Sequence, residues 1–137
     1  MTYLPPVVRY LAGRLGDLGW VTDLLVAGSL ATGDYVPGVS DLDLVALTGG
    51  PVGPARQEIL ASLHRELDQG AAHGLDLGCV YVDAGRLADL RALHPTWTHG
   101  SLVQRILSGG DASRARPARL RRPGPLASRC AAGDDRR

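Results

Sequence analysis

The sequence predicts an α/β domain in which a small mixed sheet is flanked by helices. Three apolar runs of strand length occur at residues 20–27, 41–47 and 75–82. A helical pattern over residues 55–68 separates the second run from the third. Hydrophobic residues make up 45% of the 137, which is enough for one core, although aromatic residues contribute only 4%.

The first predicted helix opens at Pro5-Pro6, because proline suits the first turn of a helix. Its apolar side chains recur at helical spacing, and two glycines, Gly16 and Gly19, end it. These apolar positions are Val7, Val8, Leu11 and Leu15.

The strand predicted at residues 20–27 leads into Gly28-Ser29, which turns the chain into a short helix or turn near residues 30–33. A loop with Pro37-Gly38 follows, and the next strand covers residues 41–47.

The clearest helix, at residues 55–68, carries an apolar stripe, and we expect His64 to lie outside the stripe in solvent. Cys79 is expected to be a small core residue of the third strand, and neither cysteine is expected to form a disulfide. The stripe consists of Ile59, Leu60, Leu63 and Leu67.

Beyond the third strand, the sequence predicts one short helix at residues 84–93 and another within residues 95–109. Asp83 is expected to cap a turn or helix. Trp97 is interpreted as covering the edge of the core, with stacking on a base or sugar as the alternative. Arg105 is interpreted as a solvated helix residue, with a phosphate contact as the alternative.

Composition changes abruptly at residue 110. Residues 1–109 hold 7 Arg and 11 Asp or Glu, whereas residues 110–137 hold 8 Arg and 3 Asp. We therefore predict one domain over residues 1–109 and a disordered, Arg-rich tail over residues 110–137, since that tail has little apolar surface to bury. A replaced or out-of-frame end, a solvated tail and a nucleic-acid arm remain open for this segment.

All fifteen basic residues are arginines, so the chain cannot form a phosphate loop of the Walker type, which needs a lysine. No apolar run reaches the roughly 18–20 residues that cross a bilayer, and the N-terminus does not have the pattern of a secretory signal. A cytoplasmic protein that does not bind a membrane is the expectation.

Two carboxylates and a glycine–serine turn form the candidate site. Asp41 and Asp43 alternate with apolar residues on a predicted strand, so they face the same way, with Cα atoms about 7 Å apart. Such a pair suits Mg²⁺, which binds a few carboxylates together with waters and substrate phosphates. Gly28 allows close backbone approach, and the N–H groups after it, with the Ser29 hydroxyl, favour phosphate. Asp76, near the start of the third strand, is expected to supply a third carboxylate.

The run from Val26 to Val45, which contains both motifs, resembles the core motif of the DNA polymerase β-like nucleotidyltransferase superfamily. Within that superfamily it is similar to the aminoglycoside adenylyltransferases that modify streptomycin and spectinomycin. The resemblance covers residues 5–109. It implies transfer of AMP from ATP to a hydroxyl of a small-molecule acceptor with the help of magnesium, and hence antibiotic resistance.

The same resemblance assigns roles to single residues. Gly28 and Ser29 would hold the triphosphate, and Asp41 and Asp43 would bind two magnesium ions. Asp76 stands where the adenylyltransferases carry an acid, usually glutamate, that acts as the catalytic base; the aspartate is shorter by one methylene.

The chain departs from those enzymes in two respects. Ala31-Thr32 stand where many relatives have an Arg or Lys, and the Arg-rich tail replaces a helical C-terminal domain. The resemblance therefore also predicts a truncated, weakly active or inactive member, or one that needs a partner protein. The alternatives are the antitoxin of a toxin–antitoxin pair and a non-catalytic remnant.

Overall fold

The computed structural model describes residues 4–107 and 116–118, and it confirms the predicted α/β class. The helices are α1 (Pro6–Leu18), α2 (Gly28–Thr32) and α3 (Pro54–Gln69), with a 3₁₀ turn at Ala84–Arg86. The strands are β1 (Val21–Ala27), β2 (Leu42–Thr48), β3 (Leu77–Asp83), β4 (Leu93–Thr98), β5 (Ser101–Ile106) and β6 (Arg116–Ala118). No helix in these residues is both long and apolar enough to cross a membrane.

The strands form one mixed sheet in the order β5-β4-β3-β2-β1-β6. Only β2 and β3 run parallel, and α3 provides the crossover that a parallel pair requires. The other neighbouring pairs are antiparallel.

The two faces of the sheet differ in what covers them. Alternate residues of β2, Leu42, Leu44 and Ala46, point into the main core, which α1 and α3 close. The opposite face carries a smaller apolar cluster around Val45 and Val80, to which no helix in the described residues contributes. Asp43 alternates with Leu42 and Leu44, so it belongs to this second face.

The two short helices predicted between residues 84 and 109 are wrong. After the 3₁₀ turn, β4 and β5 form a hairpin in which Thr98 pairs with Ser101. His99 and Gly100 make the turn, with φ of 49° and 81°, the left-handed values that two-residue hairpins favour. Asp83 caps the 3₁₀ turn as expected, because its carboxylate accepts the Gly85 N–H at 3.0 Å.

The prediction that His64 is solvated is also wrong. His64 is completely buried, its Nε2 lies 2.6 Å from the Tyr81 hydroxyl, and its ring stacks on Trp97 at 5.1 Å between centroids. The helix is oriented so that its buried face consists of Leu60, Leu63, His64 and Leu67. Ile59, which we placed on that stripe, is 44% exposed, whereas Trp97 and Cys79 are core residues as predicted.

Residues 116–118 lie in the segment that we expected to be disordered, but they form β6 at the edge of the sheet, where Pro117 pairs with Leu25. An edge strand tolerates proline because one side of it makes no sheet hydrogen bonds. The rest of residues 110–137 lies outside the described residues, and the domain boundary at residue 109 stays a prediction.

Candidate active site

Strand pairing brings the glycine–serine turn against the second aspartate. In the antiparallel register of β1 and β2, Ala27 pairs with Asp43, and Gly28 follows directly. Gly28 has a φ of 56°, and a Cβ at this position would collide with the Asp43 carboxylate. The positive φ therefore favours glycine here, and a larger residue would have to displace the Asp43 carboxylate.

The parallel register of β2 and β3 brings the other two aspartates together at the backbone. The Leu42 N–H donates to the Asp76 carbonyl at 2.8 Å, and Leu42 pairs with Leu77. Asp41 and Asp76 each precede a residue of this pair, so they are neighbours at the same end of the two strands. Both are exposed, and Asp43 is half-buried.

Ser29 lies in the first turn of α2, one residue after Gly28, and is half-buried. Its carbonyl accepts the Asp34 N–H at 2.9 Å, which folds the following loop back onto the helix. The Thr32 hydroxyl donates to the Asp34 carboxylate at 2.9 Å and strengthens the same turn. These bonds fix Ser29 beside the Gly28–Asp43 contact.

Asp43 and Asp76 line two different cavities, neither of which is lined by Asp41. One, of about 200 Å³, is lined by Asp43. The other, of about 150 Å³, is lined by Asp76 with Asp68 and His99. Burial raises the pKa of Asp68, and a hydrogen bond with Trp97 acts in the opposite direction.

Residues 4–107 and 116–118 contain no group of three or more His, Cys, Asp or Glu side chains gathered closely enough to hold a metal ion. A cation cage made by the protein alone is therefore not present in this part of the chain. The donors that are present, Asp41 immediately before β2 and Asp43 within it, fit magnesium that arrives with a nucleotide. Such an ion takes its remaining ligands from water and phosphate.

The β4–β5 hairpin adds polar residues beside Asp43, of which the sequence suggested only Arg105, through the alternative of a phosphate contact. Thr96, Thr98 and Arg105 line the same cavity as Asp43. Helices were predicted for this region, so its alternation was overlooked. The Thr-Trp-Thr pattern at residues 96–98, with one aromatic residue between two β-branched ones, is the signal that would have indicated a strand.

The sheet is mixed and carries helices on one face. A Gly-Ser turn packs on the second acid of the Asp-x-Asp segment, and a third acid directly precedes the parallel neighbouring strand. Together these features define a nucleotidyl-transfer domain. The family model for the nucleotidyltransferase domain matches residues 8–85. This is more than half of the chain, which therefore belongs to that family. No curated protein and no solved structure gives a significant match to the chain.

Proposed function

We propose that the protein transfers AMP from ATP to a hydroxyl of a small-molecule acceptor, such as an aminoglycoside, and releases pyrophosphate. Membership of the nucleotidyltransferase family supports the general reaction. The choice of AMP and of the acceptor rests on the resemblance of residues 26–45 to the aminoglycoside adenylyltransferases.

The observation that carries this proposal is the pairing of Ala27 with Asp43. Regular strand pairing puts Gly28, which we assign to phosphate, next to Asp43, which we assign to magnesium. Site residues on regular secondary structure are held more precisely than those on loops, and positioning is the main source of catalysis in phosphoryl transfer.

Each residue has a defined task in this reaction. Asp41 and Asp43 hold magnesium, which when bound neutralises charge on the phosphate oxygens. Gly28 and Ser29 bind the β- and γ-phosphates and thereby orient the α-phosphorus. Asp76 accepts the proton of the acceptor hydroxyl as the new oxygen–phosphorus bond forms and the bond to pyrophosphate breaks.

Calorimetric titration of the full chain with ATP and Mg²⁺ tests the nucleotide site. Asp43→Asn should weaken binding on the order of 100-fold, since it removes a charged partner from a desolvated ion contact. Asp41→Asn should act in the same direction. Asp23→Asn, an equal charge change at an exposed position near the other end of β1, is the matched control and should bind as the wild type does. Binding that ignores both active-site substitutions would refute the metal assignment.

Pyrophosphate release in the presence of streptomycin or spectinomycin tests the acceptor. Release that depends on one of these acceptors supports the adenylyltransferase activity. ATP binding without release for any acceptor would instead favour the non-catalytic alternative or an antitoxin role.

A further inference from the structure

Arg105 lines the same cavity as Asp43, and we propose that it binds the pyrophosphate portion of the nucleoside triphosphate. This inference rests on the proposed function and adds to it a residue from outside the part of the chain that the family model matches, residues 8–85. Arg105 lies on β5, which forms one edge of the sheet.

The first argument is position. Asp43 on β2 lies level with Ser101 on β5 across two intervening strands, and Arg105 lies four residues further along β5. At normal strand spacings the Cα atoms of Asp43 and Arg105 are therefore about 20 Å apart. Both nevertheless line one cavity of about 200 Å³. An extended arginine side chain at one end and a phosphate chain bound to an ion at Asp43 at the other would together span this distance.

The second argument is the supply of cations. The chain has no lysine, so a side-chain cation for phosphate must be an arginine. Three other arginines of the described residues are engaged elsewhere: Arg14 pairs with Glu66, Arg86 pairs with Asp89 and Arg56 stacks on Trp20. None of these three lines the cavity of Asp43, whereas Arg105 does, and it forms no ion pair within the described residues.

The third argument is the chemistry of the lining. Thr96 and Thr98 lie on β4, between the strands that carry Gly78 and Arg105, and both residues line the cavity. The Thr96 hydroxyl already donates to the His94 carbonyl at 3.0 Å, so we assign the Thr98 hydroxyl as the donor to phosphate. Hydroxyls and a guanidinium are the usual donors to phosphate oxygens, and the planar guanidinium can donate two parallel hydrogen bonds to one phosphate. Gly78 pairs with Asp43 and adds no side chain to the part of the cavity beside that carboxylate.

Calorimetric titration of the full chain with Mg²⁺–pyrophosphate and with Mg²⁺–ATP tests the proposal. Arg105→Gln should weaken the binding of both by about 10- to 100-fold, the loss expected for one charge-assisted partner. Arg105→Lys should recover part of this affinity, because the charge returns but the two-pronged geometry does not. Arg91→Gln, an exposed residue outside the cavity, is the matched control and should bind as the wild type does.

Two results would overturn the inference, and they can be told apart. If Arg105→Gln binds both ligands as well as the wild type while Asp43→Asn does not, the nucleotide site stands and the role of Arg105 is wrong. If the wild type binds neither ligand, the proposed function fails together with this inference. Because Arg105 is exposed, its substitution should leave the unfolding transition unchanged, which circular dichroism can verify.

Discussion

The buried histidine of α3 should make the stability of this protein sensitive to mild acid. His64 has no exposed surface, and burial lowers its pKa from 6.5 to about 4. In the unfolded chain the imidazole regains its ordinary pKa of about 6.5. Between these two values the unfolded state binds a proton that the native state does not bind.

The sign and size of the effect follow from this difference. The full stability is present above pH 6.5 and is lost as the pH falls toward 4, because protonation then favours the unfolded chain. Each pH unit in this window removes about 1.4 kcal/mol, so the loss at pH 5 is about 2 kcal/mol. This is a sizeable share of the 5–15 kcal/mol that is typical of a whole domain.

Urea unfolding at pH 7.5 and pH 5.0 measures the effect, with His64→Phe as the comparison. Phenylalanine can still stack on Trp97 but does not titrate. It also leaves the Tyr81 hydroxyl without its histidine partner, a cost that is the same at both pH values. The wild type should lose about 2 kcal/mol more than the variant on acidification.

The variant comparison also removes other titrations. Burial lowers the pKa of His94 as well, but that residue is present in both proteins and its contribution cancels. His73→Gln, at an exposed position, should keep the wild-type dependence. Equal losses in the wild type and His64→Phe would refute the assignment of the effect to His64.

Two further predictions concern the site and the core. Gly28→Ala and Gly33→Ala both place alanine at a positive φ, so each should lower the free energy of unfolding by about 1–2 kcal/mol. Only the alanine at position 28 meets the Asp43 carboxylate, so only Gly28→Ala should also weaken Mg²⁺–ATP binding in calorimetry. Equal binding by the two variants would contradict the contact. In a Cys130→Ser background, Cys79 should react with a thiol reagent only after denaturation, because it is completely buried and burial raises its pKa to about 12; fast labelling of the native protein at neutral pH would show that the site is open.

The helix α1 and the orientation of β2 could be predicted because their sequence signals are local. Pro6 opens α1, and Gly19 ends it in a left-handed conformation, as the sequence indicated. The alternation of Asp41 and Asp43 with Leu42 and Leu44 fixed which side of β2 faces the core. These features depend on side-chain periodicity within one element, which the sequence displays directly.

The β4–β5 hairpin and the burial of His64 could not be predicted because they depend on partners distant in sequence. Leu102 and Ile106 are spaced as on a helix, yet they belong to a strand that pairs with β4. The hairpin depends on a His99-Gly100 turn, a less common choice than Asn-Gly. His64 is polar, so its place at the core spacing of α3 became evident only through Tyr81.

The candidate site was predictable in part because most of its residues are close together in the sequence. Gly28, Ser29, Asp41 and Asp43 lie within one short run of sequence, whereas Arg105 reaches that region only after the sheet has formed. Residues contributed by a later hairpin leave no spacing pattern relative to an early motif.

The pairing of Ala27 with Asp43 also has an evolutionary consequence. A slip of one residue between β1 and β2 would turn Asp43 toward the hydrophobic core and Leu42 toward solvent. A mispaired chain would therefore lose both its fold and its active site. Selection against unfolding thus also preserves the position of this acid. The connecting loop at residues 35–40 contains neither Asp34 nor Asp41, so insertions there can change the surface beside the site while Asp43 stays in place.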